Sequence, residues 1–199
     1  MKIFIADTGV GNIHSLKTAL RKLGNEVLIG LSTNMIENAD GIILPGVGNF
    51  NSALKRLKTI KTKLIESILS GVPFLGICLG YQLLFEESQE GTKKGFGIFK
   101  GKVVKFPSSV KIPHIGWNTL ENIKSDPIVE GVNEGSYVYF VHSYYPKPFE
   151  PIVIAETHHG IRFPSIGGKN GIYGVQFHPE RSGKVGAKIL SNFCKVIKG

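Results

Sequence analysis

Cysteine is nearly absent. Cys78 and Cys194 are the only two in 199 residues, too few for the disulfide framework of a small secreted protein. No apolar run approaches the ~18 residues needed to span a membrane. The opening Met1-Lys2-Ile3-Phe4-Ile5-Ala6-Asp7 is too short an apolar run for a signal peptide and reads as a buried strand. These shortages predict a cytoplasmic chain. Acidic residues are scarce beside basic ones, 15 against 24, for a net charge of +9. That balance raises nucleic acid as a partner class, but the lysines are scattered. Lys55, Arg56, Lys58, Lys61 and Lys63 share one helical stretch without the interleaved aromatics of an RNA-binding surface. They read as solvated helix faces, with docking onto an acidic partner protein as the other option. The two cysteines are far apart and His158-His159 lacks partner ligands, so no metal is expected. The glycine-rich segments lack a phosphate-loop lysine, so no nucleotide cofactor is expected either.

What the chain does have is alternation. Strands are predicted at 2–6, 26–29, 41–44 and 74–77, separated by helices at 13–23, 49–57 and 60–70. Strands joined through helices imply right-handed crossovers and a parallel sheet covered on both faces. Beyond Gly91 glycine and proline become frequent. Strands are predicted there at 102–106, 137–145, 152–156 and 174–178, and a helix closes the chain. With no linker and no repeat, the expectation is one α/β domain over residues 1–199 with an open, mostly parallel but mixed sheet flanked by helices. Ligands of such sheets sit beyond the C-terminal ends of the parallel strands.

Gly76-Ile77-Cys78-Leu79-Gly80 falls at that edge, where the apolar 72–77 run should turn into a helix through Leu79, Gln82, Leu83, Leu84 and Phe85. A cysteine in an apolar stretch is ordinarily core filler. Flanking glycines and a helix start suit a nucleophile elbow instead, with helix N–H groups favouring thiolate. Cys194 lies among Val185, Ile189, Phe193 and Val196 at helical spacing and reads as a core-side or boundary residue. Cysteine chemistry needs a base. His178 ends the run Gly174-Val175-Gln176-Phe177-His178-Pro179-Glu180, and Glu180, two residues on, faces the same side of an extended chain. It can fix the imidazole tautomer as a third triad member does. An oxyanion would need N–H donors. Leu79 offers one, and the Pro45-Gly46-Val47-Gly48 loop can bring another. Gln82, four residues past Cys78, shares its helix face and could contact the backbone end of a small substrate.

Gly76-Ile77-Cys78-Leu79-Gly80-Tyr81-Gln82 and Val175-Gln176-Phe177-His178-Pro179-Glu180 resemble the two signatures of the class I, triad-type glutamine amidotransferases. The resemblance implies a Cys78–His178–Glu180 triad that hydrolyses glutamine through a thioester and releases ammonia. Three further segments, 45–48, 113–118 and 139–144, together with Asp7-Thr8-Gly9-Val10-Gly11-Asn12, are similar to those of one branch of that family, the glutaminase subunits of imidazole glycerol phosphate synthases. Thr8 stands where that branch has tyrosine, and His158-His159-Gly160 where a Tyr-Gly sequence is commoner. The branch implies an oxyanion hole from Val47, Gly48 and Leu79, and substrate contacts from Gly46, Gln82, Glu90, Ser143 and Tyr144. It also implies a docking face of Asn12, Trp117, Tyr139 and Arg181 for a cyclase subunit in histidine biosynthesis, with no cofactor. Trp117 between Gly116 and Asn118 is expected on an exposed loop. The alternatives are a glutaminase feeding another acceptor such as an amino-sugar synthase, a regulatory module with a dead site, and a peptidase- or esterase-like hydrolase on the same elbow.

Overall fold

The computed structural model describes residues 1–9 and 11–199; Val10 of the opening motif lies outside the described residues. In chain order the elements are β1 (Lys2–Ala6), α1 (Ile13–Lys22), β2 (Glu26–Gly30), α2 (Thr33–Glu37), β3 (Gly41–Leu44), α3 (Phe50–Arg56), α4 (Lys61–Leu69), β4 (Phe74–Ile77) and α5 (Leu79–Leu83). The second half adds β5 (Phe85–Ser88), β6 (Phe99–Lys105), β7 (His114–Thr119), β8 (Tyr137–His142), β9 (Tyr144–Pro148), β10 (Val153–His158), β11 (Arg162–Lys169), β12 (Ile172–Val175) and α6 (Gly183–Lys198).

The main sheet runs β10-β11-β12-β4-β3-β1-β2. Its five strands from β12 to β2 are parallel, while β10 and β11 join antiparallel at one edge. Strands β1, β3 and β4 are buried on both faces, which is why they read as continuous apolar runs without alternation. One face packs on α1 and α6 through Leu16, Leu20, Ile189, Leu190 and Phe193. The other packs on α2 to α5 through Ile36, Phe50, Leu54, Leu64 and Leu79. A three-stranded sheet, β5-β6-β9, and the β7–β8 hairpin complete the fold.

Several expectations are corrected. The elbow helix stops at Leu83, and Phe85 opens β5, pairing with Phe99; its apolar run fits a short buried strand as well as a helix. The 137–145 strand is two strands that part at Ser143 and pair with different sheets. The strand ending in His178 stops at Val175. Trp117 is not on a loop but in β7, opposite Tyr139. Helix α2 and strands β5, β7 and β11 were not predicted. Both β7 and β11 contain glycines that break strand propensity. The basic stretch 55–63 is split between α3, a 3₁₀ turn and α4. Cys194 is buried in the core, as expected. Among the described residues no helix is long and apolar enough to cross a membrane.

Candidate active site

Cys78 sits between β4 and α5 with φ +54° and ψ −105°, a conformation that L side chains rarely adopt and that costs about 1–3 kcal/mol. The surroundings hold it there. Its N–H donates to the Val175 carbonyl at 2.7 Å, and its neighbours are glycines for steric reasons. A Cβ on Gly80 would stand 1.8 Å from the Leu44 carbonyl oxygen, and one on Gly76 would stand 2.5 Å from the Gly80 carbonyl oxygen. The helix that follows has five residues, and its first N–H, that of Leu79, donates to the Gly46 carbonyl at 3.2 Å. The donor expected to meet an oxyanion is therefore engaged by the 45–48 loop. Gly48 in that loop has φ +100°, and buried Thr8 donates its hydroxyl to the Pro45 carbonyl at 3.4 Å.

Opposite Cys78, His178 Nδ1 lies 3.0 Å from Glu180 Oε1, with both side chains buried. The expected pairing is present, but the local geometry differs: Glu180 belongs to a 3₁₀ turn, Pro179–Arg181, not to an extended chain. His178 Nε2 is buried and makes no hydrogen bond of ordinary geometry. Burial by itself depresses the His178 pKa, yet the adjacent Cys78 and the Glu180 carboxylate outweigh it and raise it to about 10. The backbone here is tied to β8. His178 N–H donates to the Tyr139 carbonyl at 2.9 Å. Ser182 Oγ accepts the Tyr139 N–H at 3.0 Å and donates to the His178 carbonyl at 2.7 Å.

Cys78 opens into a cavity of about 440 Å³ lined by Val47, Gly48, Gln82, Glu90, Ser143 and Tyr144, among others, within the range of small-ligand pockets. Residues from four separate expectations thus converge. Glu90 is half-buried and accepts the Phe50 N–H at 2.8 Å. Burial raises its pKa, partly offset by that bond. Gln82 faces the same cavity. Its Nε2 donates to the Tyr144 carbonyl at 2.9 Å and to Gln176 Oε1 at 3.1 Å, which leaves the amide oxygen, rather than the nitrogen, for a ligand. The Ser143 carbonyl accepts from the Phe106 N–H.

Three further residues complete the surroundings. Gln176 is fully buried with Nε2 3.5 Å from Cys78 Sγ. His142 Nδ1 lies 2.9 Å from the Tyr144 carbonyl oxygen, and its Nε2 lies 3.1 Å from His114 Nδ1. Ser182 is the third. Gln176 sits inside the 175–180 signature and His142 inside the 139–144 segment, while Ser182 carries no motif signal of its own.

On the outer side of the β7–β8 hairpin Ile115, Trp117 and Tyr137 are 59, 56 and 61% exposed. Arg181 stacks over Tyr139 at 4.1 Å, and Trp117 meets the same ring edge-on at 6.0 Å. Asn12 instead caps α1, accepting from the Ser15 N–H, on a helix that packs against the 179–181 turn.

A parallel α/β sheet with a cysteine at a strand-to-helix elbow, next to a buried His–Glu pair, defines a triad-type class. The family model described as Glutamine amidotransferase class-I matches residues 4–197, and the chain belongs to that family. Within it the chain is similar over its whole length to Imidazole glycerol phosphate synthase subunit HisH. The HisH of Methanocaldococcus jannaschii is 45% identical over 196 residues, covering 98% of this chain and all of that protein. The HisH of Pyrococcus furiosus is 49% identical, covering 98% of this chain and 99% of that protein. Among solved structures, one described as a glutamine amidotransferase superposes with a TM-score of 0.78 at 18% identity, covering 99% of each chain. PurLQS from Thermotoga maritima gives 0.76 at 19% identity, covering 98% of this chain and 97% of that one. These two share the fold.

Proposed function

We propose that this chain is the glutaminase subunit of an imidazole glycerol phosphate synthase. It hydrolyses L-glutamine to L-glutamate and ammonia and passes the ammonia to a cyclase subunit in the cytoplasm. The observation that carries the reading is the buried His178–Glu180 pair set against the Cys78 elbow, in a chain similar end to end to HisH proteins. Cys78 Sγ attacks the side-chain amide carbon of glutamine. His178 Nε2 holds the thiol proton and gives it to the departing ammonia, then takes one from the water that hydrolyses the thioester. Glu180 accepts the Nδ1–H and keeps Nε2 directed at the reacting atoms. Glu90 and the Gln82 oxygen are acceptors suited to the substrate α-ammonium group.

The Leu79 N–H can serve the oxyanion only when the Gly46 carbonyl leaves it. The resting geometry therefore supports low activity until something moves the 45–48 loop. Trp117, Tyr139 and Arg181 form the surface offered to the cyclase, since exposed tryptophan and arginine are typical interface anchors. Cys78→Ala tests the chemistry: the complex should lose glutamine-dependent synthesis yet keep synthesis from an added ammonium salt. Loss of both would make Cys78 structural.

A further inference from the structure

We propose that Gln176 is a catalytic residue whose amide N–H donates to the Cys78 sulfur and steadies it as a thiolate. This rests on the thioester reading above. Gln176 follows β12, two residues before His178, and its side chain is 0% exposed with Nε2 3.5 Å from Cys78 Sγ. A buried amide could in principle present either end to the sulfur, and its neighbours settle which. The Tyr144 carbonyl can only accept. Gln82 therefore turns Nε2 toward it, at 2.9 Å. The second hydrogen of that nitrogen then points at Gln176, at 3.1 Å, which must show its oxygen there. The nitrogen is left for Cys78. Turned the other way, Gln176 would set two N–H groups against each other in a buried site, at the cost of an unsatisfied donor.

His142 strengthens the arrangement by holding the same Tyr144 carbonyl through Nδ1, at 2.9 Å. Gln82 is thus a positioning residue for Gln176 as well as a lining residue of the cavity. The sulfur lies between two unlike partners. The Val141 carbonyl, at 3.8 Å, accepts and so favours the protonated thiol. Gln176 donates and so favours the anion. A charge-assisted bond of this kind stabilises the charged form, and removing it should raise the pH at which the thiolate appears by about one unit.

The pH dependence of Cys78 alkylation reads this directly and needs no glutamine turnover. The other titratable groups facing the site are His178 with Glu180 behind it, His142 from β8, and Glu90 across the cavity, and all remain in the variants. Gln176→Met keeps the length without a donor, and Gln176→Glu keeps the acceptor for Gln82 while replacing the donor. Iodoacetamide labelling of the full chain, quantified at the Cys78 peptide by mass spectrometry, should show an apparent pKa about one pH unit higher for the first. The second should show a larger rise. In the complex, kcat for glutamine should fall about tenfold with KM within about twofold. Alkylation profiles that superimpose on the wild type in variants with native melting curves would overturn the proposal, as would a raised KM with unchanged kcat. If both variants fail to fold, the side-chain ¹⁵N–H resonance of Gln176 in the wild type decides. It should move with the same pKa as Cys78 alkylation, and a resonance indifferent to that titration overturns the assignment. A shifted profile in a chain that releases no glutamate with its partner would keep this inference and remove the glutaminase reading.

Discussion

Two histidines of the same buried surroundings are driven in opposite directions, and each leaves its own mark on stability. His178 is raised to about 10 because Cys78 and Glu180 more than offset its burial. Its favourable interaction is fully present below the unfolded value near 6.5 and is lost as pH rises toward 10. His142 is depressed to about 3, chiefly by burial, with His114, His159 and His178 adding to the effect. The unfolded chain therefore takes up the His142 proton first, so stability falls as pH drops from about 6.5 toward 3. Against the wild type, His142→Gln should lose less stability on acidification between pH 6.5 and 4 in urea titrations; parallel curves would show that His142 does not titrate in this way. Cys78, His178 and Glu180 were legible in the sequence because an elbow with flanking glycines and a His-x-Glu are short-range patterns. Gln176 and Ser182 were not legible, because their roles depend on distant partners. Gln82 reaches Tyr144 across 62 residues, and Ser182 reaches Tyr139 across 43.

At the level of elements, the Cys78 elbow depends on how closely α5 approaches β3. Gly80 allows that approach, since any side chain there meets the Leu44 carbonyl. Gly80→Ala must push α5 off the sheet. Overpacking of this kind costs about 1–3 kcal/mol, so the melting temperature should fall by about 3–10 °C. An unchanged melting curve would mean that the elbow relaxes freely. The parallel strands were readable because burial on both faces leaves uninterrupted apolar runs, as in 2–6, 41–44 and 74–77. The strands added after Gly91 were harder. Glycine-bearing β7 and β11 form only through pairing with β8, β10 and β12, and tertiary pairing overrode their weak propensity. The end of the elbow helix was misread because the short run Leu83-Leu84-Phe85 suits the end of a helix and the start of a strand equally.

Across the whole molecule, the outer surface of the β7–β8 hairpin and the 179–181 turn are one structure. Tyr139 carries the Arg181 stack on one side and binds the His178 backbone on the other. A partner resting on Trp117 and Tyr139 would press on the strand that places His178, which gives a short physical route from docking to catalysis. Trp117→Ala should weaken cyclase binding by about 30-fold, the size of an interface anchor, while leaving the melting temperature intact because the ring is exposed. Binding titrations with unchanged affinity would place the docking surface elsewhere. The measurement that bears most directly on the account is glutamate release from L-glutamine, by the chain alone and then with its cyclase partner and that partner's nucleotide ligand. Slow release alone, strong stimulation by the liganded partner and none in Cys78→Ala are the predicted results. A rate indifferent to the partner, or retained without the Cys78 thiol, would contradict it.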